Sequence, residues 1–433
     1  MPVAIFLRGS VLHFLRDPGP DPDPTAWEYW DDGCLKIVDG RVAALGQADE
    51  ILASRGAGDV LHDHGGKLIL PGFIDTHVHY AQVDVIASYG RQLLDWLNDY
   101  TFPAERAFED PAHARRIAAL FLETLLRHGT TTAAVYPTVH KHSVDAFFEE
   151  AQKRRLRMIC GKVMMDRNCP DYLRDDAGAE AECRDQIQRW HGKERLGYAL
   201  TPRFAPTSSP EQLAMIGRLY GEYPDLWMQT HLAENVDEIR WVKALFPEAR
   251  SYLDVYDRFG LLGPRSVFAH CIHLDQADRA RFVESHSAMS FCPTSNLFIG
   301  SGFFDLDAAR RLGVRVGLAT DVGGGTSYSM LETLAEAYKV LMTHGQRLNP
   351  WRGLWLATLG GAECLSLDNK VGSFRIGREA DCVVLDFAAT PVLPRRTEVA
   401  KTLEERLFAL MMLGDDRAVA ETYVLGERTS RSR

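Results

Sequence analysis

Short β-rich apolar runs alternate with longer segments of helical periodicity between residues 67 and 325. Segment 114–129, ARRIAALFLETLLRHG, spaces its leucines and phenylalanine three to four apart and ends in glycine, which is typical of an amphipathic helix. The eight apolar runs cover residues 67–79, 130–139, 157–166, 197–206, 226–234, 266–272, 288–296 and 314–323. Eight strands that alternate with helices predict an α/β fold with a TIM-type (β/α)8 barrel. An open doubly wound sheet is the alternative, but its glycine-rich nucleotide fingerprint is missing.

The two ends of the chain have a different pattern of apolar and polar residues. Residues 31–46, DDGCLKIVDGRVAALG, alternate apolar and polar positions around glycine turns, as hairpins do. Residues 371–386 and the C-terminal ETYVLGERT have the same pattern. Neither end has enough apolar residues for a core of its own, so we expect the ends to combine. The predicted organisation is a barrel over 67–370 and a small β-sandwich domain built from 1–66 and 371–433.

Composition and charge narrow the possible partners. The 433 residues are 46% hydrophobic and 25% charged, which is ordinary for a globular protein, and the net charge is -10. An acidic chain without a basic block argues against binding to nucleic acid or to an anionic membrane. Arg8 interrupts the apolar N-terminus, and we expect neither a signal peptide nor a membrane-spanning helix. Eight scattered cysteines without a CxxC pair indicate reduced thiols and predict a cytoplasmic location.

Polar residues of one chemical kind stand at the ends of these apolar runs. His77 and His79 close the first run, and their spacing of two places both on one face of a strand. His231 lies in the fifth run, His270 in the sixth and Asp321 in the eighth. In a barrel of this type the carboxyl ends of the strands form the active-site face, so these five side chains are expected to meet. Histidine and carboxylate ligands with one position left for water predict a hydrolytic metal site.

Other catalytic motifs are missing from the sequence. It contains no GxxxxGK[ST] loop for phosphate, no GxSxG elbow and no HExxH helix. The zinc nucleobase deaminases with a P-C-x-x-C signature are excluded as well, because the chain has no CxxC. Glu234, three residues after His231, is a candidate for proton transfer, although a helix-start glutamate that interacts with the helix dipole is the plainer alternative.

In order along the chain, PGFIDTHVH, HLAE, the His-Cys pair after the sixth run, and ATD resemble the metal-binding signatures of the amidohydrolase superfamily. The resemblance covers essentially the whole chain. More narrowly, GKVMMDRN, LTPRFAPTSSPEQL, CPTSNLFIGSG and LGDDR are similar to stretches of superfamily members that deaminate guanine. The resemblance implies hydrolytic conversion of guanine to xanthine and ammonia by a zinc-activated water. It also implies a homodimer. A related ring, such as 8-oxoguanine or an aminotriazine, and a non-catalytic scaffold on the same fold are the alternatives.

The resemblance also implies residue roles. One zinc ion would be held by His77, His79, His231 and Asp321, with iron open as the alternative metal. The implied catalytic residues are Glu234, Asp321 and His270, where His270 either ligates the metal or orients the water. The implied substrate-binding residues are His79, Gln82, Arg203, Phe204, His231, Glu234 and Asp321. Arg203 suits this role physically, because its rigid donor fork matches the 6-oxo group of a purine.

Overall fold

The computed structural model describes residues 3–89, 92–175 and 177–429. Within these ranges the chain packs as two compact units. One unit comprises residues 3–75, 123–132 and 328–429, and the other comprises the described residues between 76 and 122 and between 133 and 327. The predicted domain boundaries at 66/67 and 370/371 stay a prediction.

Eight strands follow one another around a sheet in the order of the sequence. They are Phe73–His79, Thr130–Tyr136, Arg157–Cys160, Gly197–Pro202, Trp227–Leu232, Ser266–His270, Ala288–Phe291 and Arg315–Leu318, with the short strand Val163–Met164 beside the fourth. Neighbouring strands from the third onward pair in parallel, for example Met228 with Ser266 and Val267 with Ala288. Each predicted apolar run contains one of these strands, and the predicted barrel is confirmed.

The first barrel strand shows why its sequence is apolar. All seven residues of FIDTHVH are buried, as expected for a strand that is covered on both faces. The predicted run divides at Gly72, because Val60–Pro71 belongs to the sheet of the chain ends and Phe73–His79 belongs to the barrel. Residues Asp75, His77 and His79 share one face of this strand, so the two histidines leave its carboxyl end on the same side.

Helices separate the barrel strands, and their starts follow the sequence signals. The helix Pro210–Glu222, for example, begins directly after Ser209, whose hydroxyl accepts a hydrogen bond from the Gln212 amide. The α-helices are Ala48–Leu52, Leu93–Trp96, Phe102–Arg106, Pro111–Arg127, Lys141–Lys153, Ala179–Trp190, Pro210–Glu222, Val236–Leu245, Tyr252–Arg258, Gln276–Ser285, Pro293–Phe298, Leu306–Arg311, Met330–Thr343, Pro350–Leu356, Leu359–Cys364, Val392–Glu398 and Leu403–Leu413. One π-helical turn, Leu97–Thr101, lies between two of them, and the 3-10 turns are Pro24–Ala26, Tyr80–Val85, Ala107–Glu109, Asp171–Leu173, Ala205–Thr207 and Asp416–Ala418.

The strands from the two chain ends form one mixed sheet of seven strands, which confirms that the ends combine. In spatial order they are Glu427–Arg428, Val419–Val424, Cys382–Asp386, Val60–Pro71, Ile5–Phe14, Trp27–Val38 and Arg41–Gln47. The predicted hairpin turns at Asp39 and Gly40, with φ of 50° and 73°, which suits the twist of a two-residue hairpin loop. Leu7, Leu35, Ile69 and Val384 pack in the core of this sheet.

Two further features bear on the sequence-based expectations. All eight cysteines are free thiols. Across the parts of the chain that the structure describes, no helix is both long enough and apolar enough to cross a membrane.

Candidate metal and purine site

Five polar side chains meet where the barrel strands end. His77 and His79 are at the carboxyl end of the first strand, His231 lies near the end of the fifth, and His270 is the last residue of the sixth. Asp321 follows the eighth strand by three residues, and its amide donates a hydrogen bond to the His77 carbonyl. Four strands that are distant in sequence therefore place five potential ligands together, as their positions at the strand ends predict.

The distances within this cluster match the needs of a tetrahedral ion. The Nε2 atoms of His77 and His79 are 3.1 Å apart, and those of His79 and His231 are 3.3 Å apart. Asp321 Oδ1 lies 3.3 Å from Nε2 of both His77 and His79. Two ligands bound at about 2.0–2.1 Å to one tetrahedral zinc are separated by roughly 3.3 Å. The donor atoms are therefore spaced as the ligands of a single ion would be, and a metal fits this set.

Burial gives these ligands the protonation states that metal binding requires. Burial lowers the pKa of His77 to about 4 and holds the pKa of His231 well below its ordinary value. Burial alone would raise the pKa of Asp321, but hydrogen bonds with His77 and His79 and charge interactions with His77 and His270 hold it well below its usual range. These shifts favour neutral His77 and His231 and an ionised Asp321 at neutral pH, the forms in which such side chains bind a metal.

Hydrogen bonds fix which ring nitrogen of two histidines faces the cluster. His231 Nδ1 lies 2.6 Å from the carbonyl oxygen of Arg203, which can only accept, so Nδ1 carries the proton. The Nε2 lone pair of His231 is then directed at the other ligands. In the same way His270 Nδ1 donates to Asn296 Oδ1 at 2.9 Å. His270 Nε2 lies 3.7 Å from Asp321 Oδ2.

Glu234 supplies a second carboxyl group with different proton occupancy. Its Oε2 lies 3.4 Å from His270 Nε2, and its Oε1 accepts a hydrogen bond of 2.9 Å from Ser301. Burial raises the pKa of Glu234 to about 7. Burial alone would lower the pKa of His270, but the nearby carboxyl groups of Glu234 and Asp321 raise it. The site thus combines an ionised carboxylate with one that holds a proton up to neutrality.

A cavity that opens to solvent adjoins this cluster. Its lining includes eight of the nine predicted site residues, namely His79, Gln82, Arg203, Phe204, His231, Glu234, His270 and Asp321. The ninth, His77, lies in the ligand cluster itself. Leu93, Trp96, Leu97 and Ile299 supply apolar walls. The structure thus brings all nine residues together, and their roles in binding and catalysis stay predictions.

Four further residues contact this set and were not predicted from the sequence. Asn296 and Ser301 hold His270 and Glu234, as described above. Glu238 accepts hydrogen bonds from the backbone amides of Glu234 and Asn235, and Glu105 pairs with Arg203. Of these, Glu238 had a readable signal, because asparagine followed by glutamate three residues later is a capping box.

Four residues at this site adopt a strained backbone conformation. Ala233, His270, Cys271 and Asp321 adopt positive φ of 49°, 69°, 52° and 51°. Residues with side chains rarely take this conformation, and it costs of order 1–3 kcal/mol for each residue. Three of these residues, Ala233, His270 and Cys271, lie at or directly after a barrel strand end.

Comparison with known proteins identifies the family of the chain. Residues 68–429 match the model of the amidohydrolase family. A guanine deaminase of Escherichia coli K12 is 50% identical over 422 residues, covering 97% of this chain and 96% of its own. The solved structure of E. coli guanine deaminase has a TM-score of 0.96 at 49% identity and covers 98% of this chain and 99% of its own. A guanine deaminase from C. acetobutylicum, solved with guanine in its active site, has a TM-score of 0.88 at 29% identity over 98% of this chain and 99% of its own. By its family match and by these relatives, the chain belongs to the amidohydrolase family and, within it, to the guanine deaminases.

Proposed function

We propose that this chain hydrolyses guanine to xanthine and ammonia, using a water activated by one zinc ion. The observation that carries the proposal is the pair of carboxyl groups, Asp321 and Glu234, which face one cavity with opposite preferences for a proton. Hydrolytic deamination needs both kinds, because a proton must leave the attacking water and another must reach the ring. The guanine deaminases to which the chain is similar support guanine as the ring.

His77, His79, His231 and Asp321 would hold the metal. When bound, it lowers the pKa of its water from 15.7 to about 7, which makes hydroxide available at neutral pH. Three imidazoles and a carboxylate suit both zinc and iron, and we favour zinc because the spacing of the ligands is tetrahedral. His270, whose Nε2 faces both Asp321 and Glu234, would orient the water.

Gln82, Arg203 and Phe204 would hold the purine. The Gly323 amide donates to Gln82 Oε1 at 3.2 Å, so the carbonyl end of that side chain is engaged and its NH2 group is available to a purine acceptor. Arg203 would donate to the 6-oxo group, as its fork geometry suits a carbonyl. Phe204 would contact the face of the ring, and its own ring is held edge-on by Trp241 at 6.0 Å.

The proton transfers then follow from the two carboxyl groups. Asp321 accepts a proton from the attacking water, while Glu234 donates its proton to the ring nitrogen beside C2. The oxygen adds to C2 and gives a tetrahedral carbon that carries both oxygen and nitrogen. A proton must reach this nitrogen before ammonia can leave, since an amide ion is a poor leaving group. Asp321 returns its proton to this nitrogen and ammonia leaves, while the hydroxyl on C2 gives its proton to Glu234 and becomes the 2-oxo group of xanthine.

A substrate panel tests this proposal. Ammonia release is measured with guanine, 8-oxoguanine and ammeline for the wild type and for Asp321→Asn, and the metal in each preparation is identified by elemental analysis. We expect guanine to have the highest kcat/KM and zinc to be the bound ion. Turnover of ammeline at least as fast as that of guanine would reject the substrate assignment. A protein that binds no metal and stays inactive after zinc is added would indicate the scaffold alternative.

We further propose that the chain acts as a cytoplasmic homodimer. Eight free cysteines are consistent with a reducing compartment, and the dimer is an expectation from the family resemblance. Light scattering coupled to size exclusion would measure the mass, where a value near 97 kDa supports the dimer and one near the 48.5 kDa of the single chain opposes it.

A further inference from the structure

Arg203, proposed above as a purine-binding residue, is also one half of a buried ion pair. Its Nη1 lies 2.8 Å from each carboxylate oxygen of Glu105. The Arg203 side chain is 4% exposed and that of Glu105 is 1% exposed. Glu105 belongs to the short helix Phe102–Arg106, whose Phe102 ring lies 5.3 Å from the guanidinium carbon of Arg203. Both members of the pair are therefore held away from water beside the cavity.

We propose that Glu105 positions Arg203 and cancels its charge, so that the cavity selects uncharged purine rings over anionic ones. The inference rests on the proposed function, because it assigns Arg203 to the oxo edge of the substrate. Glu105 would be a positioning and specificity-determining residue that acts through Arg203.

The geometry gives Glu105 this role because its carboxylate is hydrogen-bonded to the end of the Arg203 side chain. The backbone of Arg203 is held at both of its polar groups, since its amide donates to the Met164 carbonyl and its own carbonyl accepts from His231 Nδ1. The side chain is long, and the pair with Glu105 fixes its distal end. Because Glu105 engages Nη1, the direction in which the rest of the donor fork points is set by this carboxylate.

The charge of the pair decides which rings are accepted. Arginine stays protonated in proteins, so a buried Arg203 without Glu105 would present an uncompensated positive charge to the cavity. With Glu105 the pair is neutral overall and still offers hydrogen-bond donors, which suits the neutral 6-oxo group of guanine. An anionic ring gains no net attraction from such a pair, whereas it would be attracted to an isolated guanidinium in a poorly hydrated pocket.

The test replaces Glu105 with glutamine, which keeps the shape and removes the charge, and with aspartate, which keeps the charge and shortens the reach. Hypoxanthine serves as a neutral ligand and urate as an anionic one, and each inhibition constant is measured beside KM and kcat for guanine. For Glu105→Gln we expect the ratio of urate affinity to hypoxanthine affinity to rise about tenfold or more. For Glu105→Asp this ratio should stay near the wild-type value while KM rises more than kcat falls.

Asp278→Asn is the matched control, because Asp278 is a buried carboxylate that pairs with Arg250 and does not line the cavity. It should lower the thermal midpoint and leave the urate to hypoxanthine ratio unchanged. If Glu105→Gln behaves as this control does, or if Glu105→Asp keeps the wild-type KM, the inference is overturned. Should the wild type fail to deaminate guanine, the proposed function fails, while the affinities of both ligands measured by calorimetry still report on Glu105. If Glu105→Gln does not fold, the KM of Glu105→Asp decides the question.

Discussion

Replacing Glu238 tests whether the turn that carries Glu234 is held by hydrogen bonds or by charge. Glu238 is fully buried and has three polar partners. Its Oε2 accepts from the amides of Glu234 at 2.9 Å and of Asn235 at 3.2 Å, and its Oε1 accepts from the Tyr252 hydroxyl at 2.8 Å. Glu238→Gln can keep all three contacts, because the amide oxygen still accepts and the NH2 group can donate to the Tyr252 oxygen.

The two substitutions at Glu238 should therefore lower the free energy of unfolding by different amounts. Glu238→Ala leaves two buried amide groups without an acceptor, at about 1–3 kcal/mol each, which gives roughly 2–6 kcal/mol in total. Glu238→Gln keeps the hydrogen bonds and loses only the extra strength that a charged acceptor gives them, about 1–2 kcal/mol. Since the affected amides belong to Glu234 and its neighbour, the loss should appear largely as misplacement of the catalytic acid. A well-placed general acid contributes about 10²–10⁴ in rate, so we expect Glu238→Ala to lower kcat by about 100-fold or more and Glu238→Gln by less than tenfold.

The assay is steady-state ammonia release with metal content and thermal midpoint measured on the same preparations. Glu234→Gln provides the lower limit of kcat, since it removes the acid itself. Equal kcat for Glu238→Ala and Glu238→Gln would refute the hydrogen-bond account and point to charge. A Glu238→Ala enzyme with wild-type kcat would show that the turn is held by other contacts.

Three further predictions concern the metal, its carboxylate and a histidine elsewhere. Asp321→Asn should lower kcat/KM for guanine by about 10²–10⁴, because it removes the proton acceptor, as checked by ammonia release at matched metal content. Dialysis against a chelator should abolish activity, and added zinc should restore it, as followed by elemental analysis and assay. Burial lowers the pKa of His64 to about 4. As the pH falls from about 6.5 to 4, His64 is therefore protonated in the unfolded chain before it is protonated in the folded one. The free energy of unfolding should decline over that window by up to about 3 kcal/mol. His64→Gln, which can keep the contact with the Tyr423 hydroxyl, should flatten the fall of the thermal midpoint with pH.

The fold and the ligand cluster could be predicted because their signals are periodic or positional. The barrel strands are buried on both faces and therefore read as apolar runs, and a polar residue at the end of such a run stands out. The order of the runs then places His77, His231, His270 and Asp321 at the same end of the barrel without any knowledge of packing. The pattern of the chain ends, with a hairpin turning at Asp39, was readable for the same reason.

The residues that support this cluster carry no comparable signal. Asn296 lies in a short helix of CPTSNLF, and Ser301 follows it in an ordinary glycine-containing loop. Glu105 stands beside Arg106 in FPAER, where two adjacent charges read as a solvated helix face. The structure buries the first charge and exposes the second, because helical geometry turns Glu105 to the side on which Arg203 lies.

The clustered ligands could be predicted and the supporting residues could not for a physical reason, and the same reason applies to the proton preferences of the two carboxyl groups. A ligand at a strand end is placed by the backbone of its own strand, so local sequence determines where it goes. A supporting carboxylate such as Glu105 acts through a partner that is already placed, and only the packed chain decides which partner it reaches. The proton preferences of Glu234 and Asp321 belong to this second class, since burial and neighbouring charges set them apart although both are carboxyl groups. The proposed division of labour between these two like side chains is therefore a property of tertiary structure, and substitutions in the supporting residues are the means to alter it without replacing a proposed metal ligand.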